Sequence, residues 1–329
     1  MNQNIFDVLA ALYGLLAVGT VLLNSIVILT FFNVRALLIP ASLPILSLAI
    51  ADVFLAFAAM PLGVSANVSR RWIFGAVGCN WYAFLHTTVG LSSILHHAVL
   101  ALERYMTIYQ PLKRHFNRHS MIRTMACLWS LVAVWCLLPI LGLSAYVPEG
   151  SGAVCSIKWH SANFPDVVYV YLTFVIFCFV PFTFIAVCYT AIALHLHKMS
   201  KTARFAWGKH SQMTRDGVRV KNKAITHGTI MVITVVITWL PYSFVAVCAL
   251  LDVGKDKMSP LVYAITAMFA KTSTLVNPII CFFWYRKFRE GTKKLWIKVV
   301  HCYSQDRPRK PPCSKSSSVW YNGQSAQVC

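Results

Sequence analysis

Apolar residues gather along the chain in seven long runs, roughly Leu9–Phe32, Ser42–Ala66, Ala76–Leu102, Thr124–Tyr146, Val167–Leu194, Ala224–Leu251 and Pro260–Trp284. An α-helix rises ~1.5 Å per residue and the hydrocarbon core of a bilayer is ~30 Å thick, so each run is long enough to cross it. The pattern predicts an all-α membrane protein, a bundle of seven transmembrane helices. The first run has full spanning length and lacks a basic n-region and a small-residue cleavage site, so it is expected to act as its own signal anchor. Beyond the seventh run, Tyr285–Val300 sets Phe288, Leu295, Trp296 and Val299 among basic residues, the pattern of a helix lying on the membrane surface. The ending, with RPRKPPCSKSSS, has no apolar period and reads as a disordered tail. The expected organisation is an outer N-terminus over 1–8, a membrane domain over 9–284, a surface helix over 285–300 and a tail over 301–329. No internal repeat or second domain is visible.

Composition agrees with a membrane protein: 57% of the 329 residues are hydrophobic and only 12% are charged. Charge then orients the bundle. Most of the 30 Lys and Arg fall at Arg35, in the Arg104–Arg123 region, in Lys198–Lys223 and after Trp284, all on one side of the membrane. Only Arg70, Arg71, Lys158, Lys255 and Lys257 fall on the other side. An excess of cations marks the cytoplasmic face, which puts the C-terminus inside and the N-terminus outside. The net charge of +20 is therefore mostly an inner-face property, suited to anionic lipid and an acidic partner, with no nucleic acid expected.

Eleven cysteines cannot all pair within one chain. Most lie in the membrane or on the reducing side, where a free thiol is the default. Cys79, opening the third run, and Cys155, in the loop after the fourth, lie outside, and a bond between them would tie that loop over the mouth of the bundle. Asn67-Val68-Ser69 is a glycosylation sequon close to the membrane. Cys302, just past the surface helix, is a candidate for palmitoylation, with a free cysteine as the equal alternative.

Polar and kinking residues interrupt the runs at Asn24, Asp52, Trp129, Pro139, Pro181, Tyr189, Trp239, Pro241, Asn277 and Pro278, where unpaired polarity is costly. Each alone reads as a kink or a packing polarity. In order, LNSIVI, LAIADVF, ALERY, the fourth-run tryptophan, FVP, CYT, TWLPY and NPIIC resemble the rhodopsin-like G-protein-coupled receptors from about Leu9 to Val300.

Lys271 narrows the resemblance. It lies roughly 16 Å or more from either end of its run, too deep for its stem to carry the ammonium to the surface. Such a lysine is paired, neutral or chemically used, and a neutral amine condenses with aldehydes. FAKTSTLVNP, with Lys271 six residues before Asn277, resembles the opsins, whose lysine forms a Schiff base with retinal; a structural lysine in an ordinary receptor is the plainer alternative. The resemblance implies retinal as covalent cofactor.

A buried cationic Schiff base needs a compensating charge. Of ten acids, Asp52, Glu103, Asp216, Glu290 and Asp306 lie in the inner half or beyond, while Asp7, Asp166, Asp252 and Asp256 sit at helix ends or in loops. Glu149, in YVPEG six residues before Cys155, matches the opsin plug loop and its counterion site; a solvated loop acid is the alternative. In vertebrate visual pigments the acid stands three residues after the third-helix cysteine, a place held here by Tyr82. This departure implies a non-visual or invertebrate-like opsin, with a lean toward peropsin, neuropsin and RGR-like members. Tyr82, His86 and Gly90 share one helical face. His86 is expected one turn below Tyr82, as a tuner of the Schiff base or as a hydrogen-bonded structural histidine. Gly90 would leave room for the ring end of the polyene. Thr87 stands beside them, Trp239 and Tyr242 would supply aromatic wall, and small Ala267 lies one turn before Lys271.

For output, Glu103-Arg104-Tyr105 resembles the motif whose arginine is held by the neighbouring acid at rest and meets a heterotrimeric G protein after activation. Tyr189, Asn277 and Pro278 match the family, but Cys281 stands where the seventh-helix tyrosine belongs. Lys221 stands where rod opsin has an acid that locks the arginine. Ser314, Ser316, Ser317 and Ser318 in the tail would suit a receptor kinase and an arrestin-like partner. Three readings result: a light-activated receptor, a retinal photoisomerase with little signalling, or a non-opsin receptor for a diffusible ligand.

Overall fold

The computed structural model describes residues 2–110, 116–159, 161, 163–207, 211–212, 230, 233–234, 236–251, 259–284 and 286–305. Among the described residues six stretches are long and apolar enough to cross a membrane: Gln3–Asn33, Pro40–Val68, Gly75–Tyr109, Arg118–Leu137, Phe164–Thr202 and Pro260–Phe283. A shorter apolar helix, Val236–Leu250, occupies the sixth run. The helices are α1 (Gln3–Asn33), α2 (Leu43–Ala58), α3 (Met60–Val68), α4 (Gly75–Tyr109), α5 (Arg118–Leu137), α6 (Phe164–Phe174), α7 (Val180–Trp207), α8 (Val236–Leu250), α9 (Pro260–Lys271), α10 (Ser273–Trp284) and α11 (Arg286–Gln305). α4 touches α2, α5, α7 and the outer loop, and 72% of its spanning window is buried against 22% for α5. α4 is the axis of the bundle.

Several spans are broken, each with a local cause. The second breaks at Ala59, ahead of Pro61, whose ring removes a helical N–H. The fifth widens into a π-helical turn over Val175–Phe179, next to Pro181. The fourth stops at Leu137 rather than continuing to Tyr146, and the chain turns through Gly142, at φ 96°. From Tyr146 it becomes a hairpin, β1 (Tyr146–Glu149) against β2 (Val154–Ile157), an antiparallel addition to the expected all-helical fold. Its turn uses Gly150 (φ 47°) and Gly152 (φ 73°), conformations that residues with a Cβ rarely adopt. The Gly152 N–H closes the turn on the Glu149 carbonyl at 2.9 Å.

The seventh span divides at Thr272, between α9 and α10, directly after Lys271. The loosened backbone finds partners in α1. The Asn24 amide donates to the carbonyls of Thr20 and Thr274, both at 3.0 Å. Thr274 Oγ1 donates to the Lys271 carbonyl at 3.0 Å, so in its 2.8 Å contact with Thr20 the latter is the donor. A polar residue in the first span thus holds open a break in the seventh, and the break sets Lys271 at a helix end.

α11 runs to Gln305, past the expected end at residue 300, and packs against α1 and α10. Phe288 is buried against Phe31 and Phe282. Cys302 belongs to this helix. Tyr285, Lys221 and the tail from Asp306, its serines included, lie outside the described residues.

Candidate functional site

A cavity opens beneath the hairpin. Lys271 and Ala267 of α9, His86, Thr87 and Gly90 of α4, and Trp239 and Tyr242 of the sixth span line it. Among the described residues Lys271 is the sole lysine of the lining. Its Nζ lies 5.8 Å from the ring centre of Tyr13 and 6.0 Å from that of Tyr82. Asp52, Ser93 and Asn277 form the inner end of the cavity.

Tyr82 and Glu149 do not line the cavity; they stand directly behind it. Tyr82 is fully buried and its ring stacks on His86 at 4.2 Å. His86 Nδ1 is 3.1 Å from the Tyr82 carbonyl, which can only accept, so the proton sits on Nδ1 and Nε2 carries the lone pair. That Nε2 is buried with no hydrogen-bond partner among the described residues. Glu149 is 7% exposed, and its Oε1 accepts from Trp159 Nε1 at 3.1 Å and from the Tyr242 hydroxyl at 3.3 Å. Burial pushes its carboxyl above the ordinary carboxylate range, while Lys271 and then the bonds from Ser156, Tyr242 and Trp159 pull the other way. No carboxylate lies within 4.0 Å of Lys271 Nζ among the described residues.

At Gly90, which lines the cavity, a Cβ would collide with the indole of Trp239, with Cζ2 at 3.0 Å, so the absent side chain also seats Trp239. Trp159, which joins the cavity wall to Glu149, and Tyr13 were not signalled by the sequence, because an aromatic in an outer loop or an apolar run breaks no pattern.

Cys79 and Cys155 are bonded, with Cα atoms 5.4 Å apart. Cys155 pairs with Pro148, so the bond anchors the strand beside Glu149 to the start of α4. A Cys155→Ala variant is expected to lose ~2–4 kcal/mol of stability and to release the hairpin. Thermal unfolding tests this, with proteolysis at the hairpin turn as second readout; unchanged resistance on both counts would contradict it. Asn67 is 1% exposed, and its amide donates to the Gly63 carbonyl at 2.8 Å, so a glycan there would require the side chain to swing out.

At the inner end, Arg104 Nε lies 3.7 Å from Glu103, whose other oxygen accepts from Thr107 at 3.0 Å. Tyr105 and Tyr189 pack together around Ala101 and Ile185. Cys281 is buried with Leu100 and Ile280 beside a small cavity that also touches His97, Asn277 and Leu48.

The model of the 7 transmembrane receptor (rhodopsin family) matches residues 23–281. The chain belongs to this family. The receptor is 32% identical to melanopsin of Phodopus sungorus over 81% of its own length and 57% of that protein's, and 32% identical to human melanopsin over the same shares. It therefore spans little more than half the length of these curated relatives. To the mouse visual pigment-like receptor peropsin it is 29% identical, over 87% of its own length and 83% of that protein's. Squid rhodopsin shares the fold, with a TM-score of 0.82 at 24% identity over 92% of this chain and 88% of that one. The chain is a multi-pass membrane receptor of the rhodopsin family, similar among its relatives to opsins.

Proposed function

We propose that this receptor is a light sensor that binds retinal through a Schiff base on Lys271 and passes photoisomerisation to a heterotrimeric G protein on the inner side, with the N-terminus outside. The observation that carries this reading is a single amine at a helix break, in a cavity whose wall combines aromatic and apolar side chains with polar ones such as Thr87, Ser93, Thr173 and Asn277, under a disulfide-anchored hairpin. The wall's aromatic and aliphatic share suits a ligand with an apolar body, and its polar groups offer fixed points for orientation. The fit to retinal rests on that lining, on Lys271 and on Trp239 Nε1 and His86 Nε2, which have no hydrogen-bond partner among the described residues. When bound, retinal supplies a light-driven change of polyene shape. Lys271 would anchor it, Trp239 and Tyr242 would confine it, and Glu149, behind Tyr242 and Trp159, would balance the cation at one side chain's remove.

Arg104 with Glu103, Tyr105 and Tyr189 form the inner end expected of a coupling receptor, and a receptor kinase and arrestin are further proposed partners. One observation favours the photoisomerase reading: Cys281 places a thiol, not a phenol, in an apolar cluster where the family uses a hydroxyl to bridge spans. Losing one such bond costs on the order of 1 kcal/mol, which shifts a two-state equilibrium several-fold without abolishing it. The test is expression with cis and trans retinal in parallel, followed by spectra and a light-dependent G-protein assay. Modest activation in light is expected, rising several-fold in Cys281→Tyr. A pigment that isomerises retinal but activates no G protein in light or dark, and is indifferent to Arg104→Ala, is a photoisomerase.

A further inference from the structure

We propose that Tyr13, on the first span, is a positioning residue for Lys271, forming with Tyr82 an aromatic cage that holds the ammonium between two ring faces. A cation within ~6 Å of an aromatic centroid is attracted by the ring's negative face, most strongly where water is excluded. Lys271 Nζ meets that condition twice, at 5.8 Å from Tyr13 and 6.0 Å from Tyr82. Both rings are buried, Tyr13 at 2% exposure and Tyr82 at 0%. No carboxylate lies within ion-pair distance among the described residues, so the two ring faces act on the charge without a competing ion pair.

The cage has a floor. A Cβ on Gly63 would stand 3.1 Å from the Tyr82 hydroxyl and 3.4 Å from Tyr13 Cδ1, so a glycine in α3 lets rings from α1 and α4 converge beside Lys271. Residues of three helices thus converge at one point. The interaction uses the ring face, not the hydroxyl, which gives it a chemical signature: phenylalanine should replace Tyr13, and an aliphatic residue should not.

The cage exists whether or not the attachment reading is right, and the experiment keeps the two apart. In retinal-free receptor, competitive labelling of Lys271 with a small acylating reagent across pH reports its protonation midpoint. Other groups face the same space: Glu149 on β1, Asp52 on α2, Tyr82 and His86 on α4, Cys178 in the π turn and Tyr242 on α8. All are unchanged between variants. Removing one ring face should reduce the ratio of charged to neutral amine by roughly two- to thirty-fold. Tyr13→Leu is therefore expected to lower the midpoint by about 0.4–1.5 pH, and Tyr13→Phe to leave it near that of the native chain. If Tyr13→Leu fails to fold, judged by the Cys79–Cys155 bond, Tyr13→Met replaces it. An unmoved midpoint in the aliphatic variant, or an equal shift in Tyr13→Phe, overturns the cage. Borohydride trapping with retinal on the same preparations reports the attachment separately.

Discussion

Lys271→Ala is expected to abolish pigment formation while leaving the receptor folded. Lys271 is the sole amine in the lining of the cavity among the described residues, so no neighbour can take over a bond to an aldehyde. The break that presents it depends on other groups, namely the bonds from Asn24 and Thr274 to backbone carbonyls, which the substitution leaves in place. Helical content and the Cys79–Cys155 bond should therefore persist. After reconstitution with retinal, the native receptor should show a visible band, and borohydride should leave a retinyl group on the peptide containing Lys271. The variant should show neither. A variant that still forms a Schiff-base pigment would move the attachment to another amine and remove the basis of the proposed function.

The physics of the bilayer made much of this legible. Spanning length is imposed by the hydrocarbon core, so apolar runs announce themselves, and a lysine inside one is conspicuous because its burial is costly. Backbone irregularity is another matter. The break at Thr272 leaves no composition signal, since Thr20 and Asn24, which stabilise it, lie more than 240 residues away in the chain. The hairpin was readable as a loop carrying Glu149, but four-residue strands register only when both partners are known. Tyr13 and Trp159 were invisible for a third reason: the unusual thing about each is what it touches. At Gly90 the sequence cannot tell which neighbour the absent side chain seats, here Trp239.

Glu149→Gln should have opposite effects on the empty receptor and on the pigment. Glutamine keeps an acceptor oxygen for Trp159 and Tyr242 but removes the charge, so the comparison isolates ionisation. In the empty receptor, burial holds the Glu149 carboxyl above the ordinary carboxylate range. Below that range the folded and unfolded chains are both protonated, and the group's contribution to stability is fully present. As pH rises, the unfolded chain loses its proton first, so the folded state binds more protons and the contribution falls until pH passes the raised folded value. The variant has no such loss. Its advantage in melting temperature should be near zero around pH 4 and grow to a few degrees toward neutrality. With retinal bound, the variant's deficit shows at the chromophore, because the protonated Schiff base at Lys271 lacks the charge that Glu149 supplies. The Schiff base of the variant should lose its proton at lower pH than that of the native pigment, moving the population toward an ultraviolet-absorbing form. Melting curves of retinal-free receptor from pH 4 to 8, set beside spectral titrations of the pigment, measure both halves. A variant less stable at neutral pH would make Glu149 a structural acid, and an unchanged spectral titration would pass the role of counterion to another group. Only the crossing of the two effects fits a carboxylate kept buried, at a cost to the fold, for the sake of a cation that the chain itself carries.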